Sequence, residues 1–169
     1  MRSAAVLLAT AFGIGRFPVA PATAASLVVA LALALLAHLA PSSLAPAPLL
    51  IAILALLPLA VWSSGEAEKE LGTDAKPIVI DEVIGMMVSV WGGLGMGALG
   101  GTARLEGPRA WIYLAAAFLL FRLFDILKPF GIRRSQALPG GYGVVVDDLL
   151  AGILTNLVLR ILLAMGAPL

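Results

Sequence analysis

The chain contains no cysteine and a single histidine, and only 12% of its 169 residues are charged. Without cysteine there is no disulfide, no thiolate nucleophile and no thiolate metal site. The lone His38 removes any chemistry that needs two imidazoles. Soluble domains usually carry about 25% charged residues. Half that share, with 61% hydrophobic residues, marks an integral membrane protein. A net charge of +1 gives no case for nucleic acid as a partner. The length suits one domain, residues 1–169, without room for a second soluble one.

What is present is organised as apolar segments separated by short polar ones. Met1 to Ile14 faintly resembles a signal peptide, but the chain continues into further spans, so it reads as a mature N-terminus lying along the interface. Residues 13–23, GIGRFPVAPAT, are too rich in glycine and proline for one continuous helix. Spans are expected at about Ala24–Ala40, Leu49–Trp62, Val83–Leu99, Ala110–Leu127 and Asp148–Met165. Pro58 is expected to kink the second, and Trp62 suits an interfacial anchor. Ser63 or Ser64 is expected to cap a separate short helix that ends at Gly72. Gly92, Gly93, Gly95 and Gly97 would let helices approach the third span closely. Several spans are shorter than the roughly 20 residues of a perpendicular crossing. The expected fold is therefore an all-α membrane bundle of four to five spans, one segment of which reads as re-entrant.

With five spans, Arg2, Arg16, Lys69, Lys76, Arg122, Lys128, Arg133 and Arg134 share one side, against Arg104 and Arg109 on the other. The positive-inside rule makes the first side cytoplasmic. All the acids except Glu106 fall on that same side. Carboxylates beside hydrocarbon are expensive, so their convergence asks for a functional reason.

Three acidic sites carry the argument: Asp81-Glu82, with Asp74 upstream, then Asp125, then Asp147-Asp148. Acids favour helix N-termini, and for one pair that ordinary explanation is the better one. Two pairs on one face, plus Asp125 near a helix C-terminus where the dipole disfavours it, favour a divalent cation. Oxygen ligands without Cys or paired His suit Mg²⁺ or Mn²⁺. Arg122, Asp125 and Lys128 form a stripe that reads either as a bundle ion pair or as one metal ligand flanked by phosphate-binding cations. Beside the acid clusters, the second reading is favoured. Gly140-Gly141-Tyr142-Gly143 reads as a phosphate-cradling nest or as an ordinary turn. Thr23 and Ser26 would cap the first span or donate to a phosphate, and His38 is expected to be packed or interfacial, opposite the acids.

Four blocks in order resemble the phosphatidylglycerophosphatase A family: residues 15–26 (GRFPVAPATAAS), 77–85 (PIVIDEVIG), 122–132 (RLFDILKPFGI) and 139–152 (PGGYGVVVDDLLAG). The resemblance implies a Mg²⁺-dependent phosphomonoesterase of the bacterial inner membrane, acting on phosphatidylglycerol phosphate at the cytoplasmic leaflet. Its acidic motif residues fall on Asp81, Glu82, Asp125, Asp147 and Asp148, and its basic ones on Arg122 and Lys128. Ala22 and Ala25 stand where the family's first block usually has glycine.

The expected mechanism is attack by metal-activated water, with Asp81, Glu82, Asp125 and Asp148 catalytic, Asp147 completing the metal set, and Glu82 as base. Arg122, Lys128, Thr23 and Ser26 are the expected substrate contacts. A cation transporter or channel is the competing reading, but it calls for acids near mid-span rather than at one interface. A lipid phosphotransferase would use similar chemistry, and a purely structural subunit would leave the acids unexplained.

Overall fold

A computed structural model describes residues 2–94 and 108–169. It contains six α-helices among those residues: α1 (Arg2–Ala9), α2 (Pro21–Leu39), α3 (Pro46–Leu71), α4 (Ile80–Val90), α5 (Pro108–Leu127) and α6 (Gly141–Ala164). Short 3-10 turns occupy Ile14–Arg16, Pro41–Leu44 and Pro129–Ala137, and no strand occurs among the described residues. Helices α2, α3 and α5 are long and apolar enough to cross a membrane. Residues 95–99 of the expected third span, with Gly95 and Gly97, and the loop charges Arg104 and Glu106 lie outside the described residues.

Several boundaries differ from expectation for identifiable reasons. Helix α2 starts at Pro21, a first-turn position where the missing N–H and fixed φ of proline fit. Its N-terminal flank, Ala20, sits in the left-handed region at φ 47°. Ala22 and Ala25 therefore lie within a regular helix and need no glycine-like φ. Helix α3 absorbs both the second span and the separate helix expected after it, and Pro58 lies inside without ending it. Ser63 and Ser64 are buried within α3 instead of capping a new helix, and Ser63 Oγ donates to the Ala60 carbonyl at 3.3 Å. Gly72 closes α3 at φ 98°. The N-terminal segment is docked on the bundle: Val6 and Ala9 pack with Ala67, Ile78 and Val144.

Helix α4 departs most from expectation. It has 11 residues and gives way to a turn at Trp91. At roughly 1.5 Å per residue that is about 16 Å, half of the ~30 Å hydrocarbon core. Its terminal carbonyls are nonetheless satisfied. Asn156 Nδ2 donates to the carbonyls of Val88 and Ser89 at 3.1 Å and of Trp91 at 2.8 Å. Arg160 Nη2 donates to Trp91 O at 2.9 Å and Nε donates to Asn156 Oδ1 at 2.7 Å. The Arg160 guanidinium also lies 5.7 Å from the Trp91 ring centroid. A cation beside a helix C-terminus is favoured by the dipole.

The core is built around α4, with Ile84, Met86 and Val90 fully enclosed by the surrounding helices. Backbones of α4 and α6 meet at Gly85 and Gly152, where a Cβ on Gly152 would lie 2.5 Å from Gly85 O. A Cβ on Gly85 would enter the Phe121 ring and lie 3.0 Å from Asp148 O. The Gly140–Gly143 cluster has a similar role: Gly141 sits in the first turn of α6 against the α3 backbone at Val61 and Gly65. Gly152→Ala is expected to destabilise the protein by about 1–3 kcal/mol through overpacking. A thermal melt in detergent checks this, and an unchanged melting temperature would contradict the close-approach account.

Candidate active site

Five helix ends converge on one side of the bundle: the starts of α2, α4 and α6 and the ends of α3 and α5. Ala25 of α2 packs on Val79, immediately before α4, together with Val83. Ala67 near the end of α3 meets Val144 near the start of α6. Lys128, just after α5, reaches Asp125 and Asp147. This brings together the three acidic sites picked out from the sequence.

Asp81 and Glu82 lie in the first turn of α4 and are buried, at 8% and 5% exposure. Asp147 and Asp148 are both 3% exposed and lie two turns into α6, which begins seven residues before the expected span. The latter pair thus does not cap its helix, and the ordinary helix-start explanation fails for it. Asp81, Glu82 and Asp148 each place a carboxylate oxygen within 4.8 Å of the other two. Asp81 Oδ1, Glu82 Oε2 and Asp148 Oδ2 are buried without a hydrogen-bond partner. Buried polar atoms without partners are costly. Three such oxygens from three carboxylates form a donor set that fits a hard divalent cation.

Asp125 and Asp147 are placed differently, because cations occupy them. Arg122 Nη1 lies 2.8 Å from Asp125 Oδ2 and 3.8 Å from Glu82 Oε1. The Asp125 contact is close in charge but not aligned as a hydrogen bond, so Arg122 Nε and Nη1 remain without acceptors. Lys128 Nζ is bonded to Asp147 Oδ2 and lies 3.7 Å from Asp125 Oδ1. Lys128 adopts φ 46° and does not continue the helix as a further turn, yet its side chain still reaches the stripe. Burial pulls the Lys128 ammonium towards neutrality, but the hydrogen bond and charge of Asp147, with Asp125 and Asp148 behind it, hold its pKa above the ordinary value. The stripe thus forms the ion pairs of the first reading, and it leaves guanidinium donors of Arg122 free.

Among the remaining candidates, Ser26 is buried and donates its hydroxyl to Ala22 O at 2.9 Å. Thr23 provides no cap and lines a hollow beside residues 13–20. Asp74 lies apart from the acid cluster in a turn, where its N–H donates to Glu68 Oε1 at 2.9 Å. His38 is exposed at the last turn of α2 and lines a separate hollow with Trp111, so it is not packed. Sequence reasoning missed Asn156 and Arg160. Their i, i+4 spacing within an apolar helix was the available signal, since it puts two polar side chains on one buried face.

A family model described as phosphatidylglycerophosphatase A matches residues 7–163. A protein of Bacteroides thetaiotaomicron named putative phosphatidylinositol-3-phosphatase is 33% identical over 160 residues, covering 92% of this chain and 91% of that protein. The phosphatidylglycerophosphatase A of Escherichia coli K12 is 30% identical over 151 residues, 88% of this chain and 77% of its own. That of Haemophilus influenzae is 53% identical over 45 residues, 26% of this chain and 28% of its own. No solved structure matches the chain.

If the three unpartnered oxygens hold a divalent ion, Mn²⁺ or Mg²⁺ should raise the melting temperature of the purified protein, and EDTA should reverse the rise. In Asp148→Asn the rise should be largely lost. An equal metal-induced shift in that variant would take Asp148 out of the ligand set.

Proposed function

The chain belongs to the phosphatidylglycerophosphatase A family, and from that membership we propose that it hydrolyses phosphatidylglycerol phosphate to phosphatidylglycerol and inorganic phosphate with the help of Mg²⁺. It is a phosphoric monoester hydrolase of the lipid-phosphatase type. The observation that carries the finer reading is the separation of the five acids into two classes. Asp125 and Asp147 are held directly by Arg122 and Lys128, whereas Asp81 and Asp148 have no ion pair among the described residues and Glu82 meets Arg122 only at 3.8 Å through Oε1, and each of these three keeps one buried oxygen without a partner.

In this reading Asp81, Glu82 and Asp148 would hold Mg²⁺, while Asp125 and Asp147 hold Arg122 and Lys128 beside it. When bound, the ion supplies positive charge to the phosphate oxygens and makes water more acidic. Arg122 offers Nε and Nη1 to the phosphoryl oxygens as charge develops on them. Lys128, fixed between Asp125 and Asp147, adds a second positive charge. Glu82 takes the proton of the attacking water through whichever carboxylate oxygen does not face the ion. The water oxygen becomes bonded to phosphorus as the P–O ester bond breaks, the ester oxygen leaves as the lipid hydroxyl with the proton that Glu82 took up, and inorganic phosphate is released. Thr23 is the substrate contact retained from the first block. Ser26, whose hydroxyl is committed to Ala22 O, supports α2 instead.

The distribution of basic residues supports a site facing the cytoplasm, in the inner membrane of a bacterium. Arg133 and Arg134 are exposed beside it, in a position to attract anionic lipid. The transporter reading is less favoured: the acids gather at the start of α4 and the second turn of α6, and the family is a phosphatase family.

Phosphate release from phosphatidylglycerol phosphate by purified variants tests the assignment. Asp81→Asn and Asp148→Asn should each lose roughly 100-fold or more in kcat, and Arg122→Gln should lose a comparable amount as a transition-state contact. Near-normal turnover by Asp81→Asn would remove Asp81 from the mechanism.

A further inference from the structure

The headgroup chemistry leaves open how a diacyl lipid is seated. Beside the acid cluster lies a hollow of 680 Å³, open on one side and walled mostly by apolar groups, among them Ile14, Phe17, Val19 and Leu27. Its volume is in the range of small-molecule sites. Two of its lining residues reverse the chain in the left-handed region, Gly13 at φ 96° and the non-glycine Ala20 at φ 47°. Such conformations persist only where the surroundings hold them, and they gather at ligand clamps.

Three features of this hollow point to one occupant. First, Arg16 lies on its wall, is exposed, and makes no ion pair with any described residue. Second, the hollow adjoins the site: Ile14 and Ala25 pack on Val79 and Val83, which bracket Asp81 and Glu82 in the chain. Gly15 is pressed against the Pro77 backbone, with no room for a Cβ. Third, the hollow opens along α2 onto Leu27, Leu31 and Leu35, exposed at 45%, 52% and 56% and spaced four residues apart. Leu31 and Leu35 then line a second hollow of 420 Å³ with His38 and Trp111. From Thr23 to Leu35 the helix rises roughly 18 Å, close to the ~15 Å of half a hydrocarbon core.

From this we infer that the hollow beside residues 13–20 and the Leu27–Leu31–Leu35 stripe of α2 form a seat for one acyl chain of the phospholipid substrate, with Arg16 paired to the phosphodiester that joins its glycerol backbone to the headgroup. The inference rests on the lipid-phosphatase reading above and adds to it the part of the lipid that does not react. A chain lying along α2 with its diester at Arg16 leaves the terminal phosphate pointing towards Asp81, Glu82 and Asp148. Arg16 is thus a specificity residue for lipids with a second phosphate, and the stripe selects for an acyl chain.

The test uses phosphatidylglycerol phosphate with a photoactivatable diazirine on one acyl chain, bound to the purified full chain in detergent micelles. Cross-links are mapped by peptide mass spectrometry, and phosphate release is followed in the same preparation. Labelling should concentrate on residues 27–35 and be competed by unlabelled substrate but not by diacylglycerol, which has no phosphodiester. Val28→Trp, which fills the hollow, should lower that labelling at least roughly fivefold, and it should cut kcat/KM for the diacyl lipid about tenfold more than for the deacylated headgroup. Leu27→Ser, which removes part of the wall, should act in the same direction if the tryptophan variant fails to fold. Arg16→Gln should raise KM more for this lipid than for phosphatidic acid, which has no diester. Labelling spread evenly over the apolar surface, or concentrated on the hollow between Trp62 and Tyr142, would overturn the seat while phosphate release continued. Saturable labelling of residues 27–35 without phosphate release would overturn the phosphatase reading and leave the seat standing.

Discussion

Like charges buried together repel, and the arrangement of this bundle follows from managing that repulsion. Asp81, Glu82 and Asp148 present oxygens within 4.8 Å of one another. Were all three ionised, each pair at that separation would repel by about 3–4 kcal/mol at an effective dielectric near 20. Two further acids, Asp125 and Asp147, stand beside them, and the cluster contains only Arg122 and Lys128 in compensation. Five carboxylates against two cations carry excess negative charge, which proton uptake or a bound cation relieves. A divalent ion and a phosphate would complement it, the ion at the unpartnered oxygens and the phosphate at the free Arg122 donors, as proposed above.

Holding those groups in place requires a rigid support, and α4 provides it from both ends. At its N-terminus it delivers Asp81 and Glu82; at its C-terminus Asn156 and Arg160 secure the carbonyls that an 11-residue helix leaves free. Between them, the Gly85–Gly152 contact sets the distance to α6 and hence the position of Asp148. Sequence, packing and site are linked through these few residues. A methyl group at the glycine contact would act on the same spacing that brings the carboxylates together.

The convergence of the acids was more legible in the sequence than the helix boundaries were. Acidic pairs beside apolar segments identify themselves by their cost, so Asp81, Glu82, Asp125, Asp147 and Asp148 stood out without coordinates. The all-α character was equally plain from the long uncharged runs. Helix limits were less clear where a local signal had two meanings. Gly140 to Gly143 reads as a turn, yet Gly141 and Gly143 are helical because the α3 backbone and the preceding loop come too close for side chains. Ser63 and Ser64 read as caps, yet packing carries α3 through them. The stop of α4 at Val90 depends on partners 65 to 69 residues away in sequence, which no local pattern encodes. Nor does composition separate the acids that pair with cations from those that do not, since that division is set by side-chain reach across helices.

The central claim is that the unpartnered carboxylates hold a divalent ion needed for hydrolysis of a lipid phosphomonoester. Phosphate release from phosphatidylglycerol phosphate by purified, folded protein in detergent, first with Mg²⁺ and then with EDTA, tests it most directly. The account predicts release with Mg²⁺, its loss with EDTA and its return when Mg²⁺ is restored. Full release in EDTA, or none in Mg²⁺ from protein shown to be folded, would contradict it.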